Sequence, residues 1–184
     1  MARQKRIALI NDITGFGRCS VTVQLPLISA MRVQACPLPT AILSVHTGFP
    51  NHYLDDYTER MRPYMENWAA NALEFDAILT GFLGSERQIE VVLECIARFK
   101  QRHTQLVVDP VMGDNGSLYS SYTPALCAKM RQLLPQADVV TPNLTEACQL
   151  LGTDYPTGGL VTEAELAQMA AAIAAMGPRA VIIT

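Results

Sequence analysis

The sequence predicts an α/β domain built on a mostly parallel central sheet with helices on both faces. Short β-branched or apolar runs alternate with stretches of helical periodicity along the whole chain. The connections between successive runs are long enough for helical crossovers, and helix start and stop signals fall between them. With 184 residues and 49% hydrophobic content, one domain spanning 1–184 can hide roughly 70% of its unfolded surface.

Residues 6–10 read as a first buried strand, ended by a loop over 11–17 that contains Gly15 and Gly17. A helix is expected over 19–31, with Val21, Leu25, Ile28 and Met31 inward and Pro26 tolerated in its first turns. In 33–45, Pro37 and Pro39 demote the first half to an edge or irregular strand, whereas 41–45 can pair normally. A long amphipathic helix is expected over 54–73, interrupted near Pro63, with Tyr57, Met61, Met65 and Trp68 inward. Residues 76–82 form the next strand, ending at Gly81. Ser85 and Gln88 mark an N-cap, and Ile89, Val92, Leu93, Ile96 and Phe99 one helical face. A strand over 106–109 runs into a loop through 122. A helix over 123–134, a strand over 139–141, a helix to Leu151 and a loop over 152–160 follow. Thr162 and Glu165 form a capping box for a helix to Met176, and 180–184 is a last buried strand.

Fourteen Lys and Arg against 17 Asp and Glu give a net charge of −3 and no basic footprint for nucleic acid. No apolar run approaches the ~20 residues of a membrane span, and the stretch after the charged N-terminus is too short for a signal core, so a cytoplasmic location is expected. Five cysteines without a C-x-x-C pair indicate neither a disulfide framework nor a zinc site, and most are expected in the core. Walker A, G-x-S-x-G, H-E-x-x-H and protein-kinase motifs are absent, and GFGRCS does not satisfy the dinucleotide fingerprint.

Chemistry concentrates at strand ends. Asp12, Asp109 and Glu146 each follow a strand, with Asp114 nearby. In open α/β sheets that edge is where ligands bind, and grouped carboxylates repel unless a cation sits among them. Magnesium beside a nucleotide phosphate is the natural candidate. The alternative is that each carboxylate caps the next element or turn. His46 and His52 lack a third ligand at supporting spacing, which argues against a histidine metal site.

Five segments, NDITGFGRCSVT, SVHTGFP, TGFLGSERQI, VVDPVMGDNGSLY and VVTPNLTEA, together resemble the pyridoxal and pyridoxamine kinases of the ribokinase-like superfamily. The resemblance runs in order from Ile7 to Thr184 and implies a ribokinase-like fold. It implies transfer of phosphate from ATP, with Mg2+, to the 5′-hydroxymethyl group of pyridoxamine or pyridoxal. By position, Asp12, His46, Thr47, Phe82 and Tyr119 fall in its substrate segments, Asp12 standing where serine is common. Asp114, Thr141, Asn143 and Thr184 match positions near the nucleotide, and Asp109 and Glu146 match the metal region, with Asn143 and Glu146 forming an N-x-x-E. The family is commonly dimeric, with residues 35–49 near the interface, so a homodimer is implied.

The family's G-x-G-D segment, which carries the catalytic base, has no counterpart in these residues. The fold is therefore expected to be C-terminally incomplete, representing the N-terminal two thirds of the family domain, and the 184-residue chain inactive. Two other readings are a hydroxymethylpyrimidine kinase of the same superfamily and a noncatalytic B6-vitamer-binding protein.

Overall fold

The computed structural model describes residues 3–157 and 161–184 and divides into two compact units, Met1–Gln105 and Leu106–Thr184. Residues 1 and 2 of the charged N-terminus and 158–160 of the expected turn-rich loop lie outside the described residues.

The first unit holds strands β1 (Arg6–Phe16), β2 (Gln34–Val45), β3 (Leu54–Asp56) and β4 (Ala77–Thr80) in the spatial order β3-β2-β1-β4. Its helices are α1 (Ser20–Ala30), α2 (Thr58–Ala70) and α3 (Glu86–Phe99). β1 pairs in parallel with β2 and β4, and only the short β3 runs antiparallel. Leu9 of β1 is buried with Val21 and Ile28 of α1, against Ile7, Ile13, Val33, Ala35 and Leu79. The alternate residues Ala8 and Ile10 point to the opposite face and are fully buried as well, so both faces of β1 are covered.

Several expectations need correction here. β1 does not stop at Ile10: it continues to Phe16, through most of the expected glycine loop, because β2 is long enough to pair with it to Val45. The ladder slips between Asn11 and Ile13, where two steps along β1 face three along β2, from Pro39 to Ile42. Asp12 sits at this slip inside the strand rather than after it. Leu25 and Met31 of the expected inner face are exposed by 42% and 64%. Apolar side chains surround α1, so periodicity could not single out the stripe that meets the sheet. Pro26 lies in the helix interior, leaving the Thr22 carbonyl without its helical donor. Residues 54–56 are strand, because Leu54 and Asp55 pair with Leu43 and Ile42. α2 therefore begins at Thr58, whose N–H donates to Asp56 Oδ1 at 2.7 Å, and Pro63 does not interrupt it.

β2 accommodates Pro37 and Pro39 by the parity of its hydrogen bonds. Gln34 donates its N–H toward β1, to the Lys5 carbonyl at 2.8 Å. Residues an odd number of steps further along turn their nitrogens away from β1, so both prolines miss a donor only on the outer side. β3 covers that side only from Ala41 to Leu43.

The second unit takes up β5 (Gln105–Val108) from Leu106 onward, followed by β6 (Gly113–Asp114), β7 (Ser117–Leu118), α4 (Pro124–Met130), a 3₁₀ turn (Arg131–Gln136), β8 (Val139–Val140), α5 (Leu144–Leu151), α6 (Glu163–Ala174) and β9 (Ala180–Val181). β8 pairs in parallel with β5 and with β9. The expected helix over 123–134 breaks into α4 and the 3₁₀ turn, because Pro135 offers no N–H to the Arg131 carbonyl. The loop after β5 contains a two-residue hairpin, with Asn115 at φ 50° and Gly116 at φ 79° between β6 and β7. Asn-Gly is the sequence such a turn prefers. The last strand is not buried: β8 is its only partner strand among the described residues, and Ile182 is 54% exposed.

Two aspartates repeat one device. Asp76 exchanges backbone bonds with Arg6 and Gln105 while its carboxylate accepts from Arg6 N–H at 2.9 Å. Asp138 does the same with Leu106 and Ala180, its carboxylate accepting from Leu106 N–H at 2.8 Å. Cys95, Cys127 and Cys148 are buried as expected, and burial pushes the Cys95 thiol up to about 12.

Candidate functional site

The candidate residues fall into two groups, one in each unit. In the first unit they gather where β1, β2 and β4 end. Asp12 is buried, at 4% exposure, and its Oδ2 accepts from the Thr14 hydroxyl at 2.6 Å. No turn follows it, so the reading in which Asp12 caps a turn does not hold. The preceding Asn11 joins the strands: its Oδ1 accepts from Asp12 N–H at 2.9 Å and from Phe82 N–H at 2.8 Å, and its Nδ2 donates to Gln24 at 3.0 Å. A Cβ at Gly81 would collide with the Asn11 carboxamide and displace it from these bonds, so glycine keeps that side chain in place.

His46 and Thr47 occupy the turn after β2. His46 Nδ1 accepts from Gly48 N–H at 3.1 Å, its backbone N–H donates to the Phe16 carbonyl, and Phe49 lies edge-on to its ring with centroids 4.7 Å apart. The space beside Gly17, at φ 153°, is filled by Thr14, Cys19 and the His46 ring, all within 3.3 Å of where a Cβ would stand. Gly17 thus lets the His46 turn close on the Asp12–Thr14 pair. His52 is exposed with Nδ1 at 3.1 Å from the Phe49 carbonyl. Among the described residues no cluster of three or more His, Cys, Asp or Glu could hold a metal ion.

In the second unit the centre is the start of α5. Asn143 and Glu146 form a reciprocal capping box: Asn143 Oδ1 accepts from Glu146 N–H at 2.9 Å and Glu146 Oε2 from Asn143 N–H at 2.8 Å. Both side chains also reach the loop after β5. Glu146 Oε1 accepts from Met112 N–H at 3.1 Å, and Asn143 Nδ2 donates to the Gly113 carbonyl at 2.8 Å. The hairpin tip is held too, by Thr145 Oγ1 accepting from Gly116 N–H at 2.9 Å and by the Tyr155 ring packed over Gly116. Asp114 is exposed and accepts from Asn115 N–H at 2.8 Å, so it caps its own turn. Tyr119 is 39% exposed beyond the hairpin. Thr141 and Thr184 continue the parallel ladders, donating to the Val108 and Pro142 carbonyls, each at 3.0 Å.

Burial pushes the Asp109 carboxyl up to about 6. Glu146 is pushed up to about 7, first by burial and further by the Asp109 charge, against the pull of backbone donors at Asn143, Met112 and Gly113. Two nearby carboxyls that resist ionisation are the donor type a hard divalent cation takes, and magnesium binds through one or two carboxylates while keeping waters and phosphate oxygens. The residues fit magnesium in that sense, with Asp109 the freer ligand and Glu146 already engaged by backbone N–H groups.

Sequence reasoning missed Asn11, Thr14, Thr40, Thr145 and Tyr155, and it read Gln88 only as part of the Ser85 cap. The hairpin that Thr145 and Tyr155 hold carried a readable signal, the Asn-Gly pair.

A phosphomethylpyrimidine kinase family model matches residues 24–184. A Bacteroides thetaiotaomicron protein provisionally assigned as a phosphomethylpyrimidine kinase, crystallised with pyridoxal, superposes with a TM-score of 0.94 at 43% identity over 99% of this chain and 63% of that one. A pyridoxal kinase of Leifsonia xyli is 30% identical over 97% of this chain and 63% of its own length. The pyridoxal kinase of Leishmania donovani in complex with ADP and pyridoxamine is 25% identical, with a TM-score of 0.86 over 97% of this chain and 63% of that one. The chain thus spans under two thirds of the length of each of these relatives.

Proposed function

Because the chain belongs to the phosphomethylpyrimidine kinase family, and with it to the pyridoxal kinases of the ribokinase-like group, we propose that it carries the vitamer-binding and phosphate-edge parts of an ATP-dependent B6-vitamer kinase. The observation that carries the reading is the pair of ionisation-resistant carboxyls, half-buried Asp109 and buried Glu146, beside a helix N-terminus at the end of β5. In it, Asp109 and Glu146 hold Mg2+, Asp114, Thr141, Asn143 and Thr184 face the nucleotide, and Asp12, His46, Thr47, Phe82 and Tyr119 contact the ring. Magnesium held by Asp109 and Glu146 would offset the charge of nucleotide phosphates. A crystal form with pyridoxal in one relative and a complex with ADP and pyridoxamine in another support the ligand classes.

The 184 residues contain no G-x-G-D, so binding without turnover is expected of them. Calorimetry tests this: pyridoxal or pyridoxamine binds, and ADP binds more weakly without Mg2+ and in Asp109→Asn. Phosphorylation of pyridoxamine by this chain, abolished in Asp109→Ala, would refute the expectation of inactivity. Binding of a vitamer without any nucleotide binding would favour the noncatalytic reading. The family model and the name of the Bacteroides relative support a hydroxymethylpyrimidine kinase as the second reading; tighter binding of hydroxymethylpyrimidine than of either vitamer would establish it. We extend the proposal to a cytoplasmic homodimer. No helix among the described residues is long and apolar enough to cross a membrane, and Ile42 and Phe49, within the implied interface stretch, are exposed.

A further inference from the structure

We infer that Asn11, Thr40 and Gln88 are positioning residues that hold the backbone of residues 82–84 as a fixed wall of the ring site, an inference that rests on the B6-vitamer reading above. The segment lies between β4 and α3 and belongs to neither. Side chains from three elements bond to its backbone. Asn11 of β1 accepts from Phe82 N–H at 2.8 Å, Thr40 of β2 donates its hydroxyl to the Phe82 carbonyl at 2.8 Å, and Gln88 of α3 accepts from Gly84 N–H at 2.7 Å. Both polar groups of the Phe82 backbone are thereby fixed from opposite sides.

Gln88 ties the arrangement together. It is 1% exposed, in the first turn of a helix already capped by Ser85, whose Oγ accepts from Gln88 N–H. A buried carboxamide costs free energy unless its polar atoms are paired. Here Nε2 donates to the Thr40 carbonyl at 2.8 Å and to Thr58 Oγ1 at 2.9 Å, while the Thr58 hydroxyl binds Asp56. One side chain therefore links the start of α2, the middle of β2 and the loop that bears Phe82. Holding that loop in place before a flat ring arrives lowers the ordering cost of binding.

Thr40→Val removes the hydroxyl and keeps the shape, and Thr40→Ser keeps the hydroxyl. Gln88→Met is a second probe of similar length. Amide exchange at Phe82 and Gly84 in the free chain reports the clamp, and calorimetry with pyridoxal and pyridoxamine reports the site. Thr40→Val and Gln88→Met should speed both exchanges and weaken vitamer binding about fivefold, the worth of one net hydrogen bond, with Thr40→Ser close to wild type. Unchanged exchange overturns the clamp, and faster exchange with unchanged vitamer affinity overturns its role in binding. A wild-type chain that binds neither vitamer removes the functional reading itself and this inference with it, a failure visible before any variant is made. Should Gln88→Met fail to fold, the comparison of Thr40→Val with Thr40→Ser alone decides.

Discussion

Glu146 serves two neighbours with one carboxylate: it closes the capping box at Asn143 and receives the Met112 N–H from the loop after β5. Both it and Asp109 hold their protons to higher pH in the folded chain than in the unfolded one, up to about 7 and about 6. Between the ordinary carboxylate range and those values the folded state binds more protons, so stability of the metal-free chain should fall as pH rises through that window. Urea unfolding from pH 5 to 7.5 measures this, and Asp109→Asn should flatten the slope. Asp12 supports a second prediction. A buried carboxylate beside the proposed ring site should favour the ammonium of pyridoxamine over the aldehyde of pyridoxal, so Asp12→Ser should lower the ratio of the two affinities. An unchanged ratio, by calorimetry, would remove Asp12 from selectivity. Asp109 and Glu146 were legible because a strand-ending Asp-Pro and an N-x-x-E are local patterns. Asn11, Thr40 and Gln88 were not, because each bonds to groups distant in sequence, 71, 42 and 48 residues away.

Helix ends show the same division at the scale of elements. The caps at Ser85, Asn143 and Thr162 could be read directly, since donor and acceptor stand three residues apart. The start of α2 could not, because the pairing of Leu54 and Asp55 with Leu43 and Ile42 decides it. The ends of α1 and α2 carry an unmarked cost. Val33 and Arg32 donate back to Ile28 and Ser29, and Leu73 and Ala72 to Trp68 and Ala69, the paired bonds of a left-handed helix stop. The residues in the left-handed conformation are Arg32 at φ 60° and Ala72 at φ 49°, where glycine is usual. Arg32→Gly and Ala72→Gly should each stabilise the chain by about 0.5–1 kcal/mol, read as a higher urea midpoint at unchanged slope.

Over the whole chain, the alternation of strand and helix could be read from periodicity, and the order in which strands pair depends on contacts that periodicity does not encode. Within each unit one aspartate adds to the backbone ladder: Asp76 bonds to Arg6 and Gln105, and Asp138 to Leu106 and Ala180, through its own N–H and C=O, and each adds a carboxylate bond to an N–H. Against the push of desolvation, Lys5, the Arg6 N–H and Arg3 hold the Asp76 carboxyl well below the usual carboxylate range. Asp76→Ala and Asp138→Ala should each cost about 1–3 kcal/mol, because a strand N–H loses its acceptor. Equal urea midpoints for variants and wild type would contradict this.

The parity of β2 has a consequence for association. Along residues 35–39 the outer side of the strand is not covered by β3, and at Pro37 and Pro39 it has no N–H to offer an incoming chain. A foreign strand arriving there would find acceptors with few donors between them, and Pro37, on the part of this side that is not fully buried, guards the sheet against templated growth.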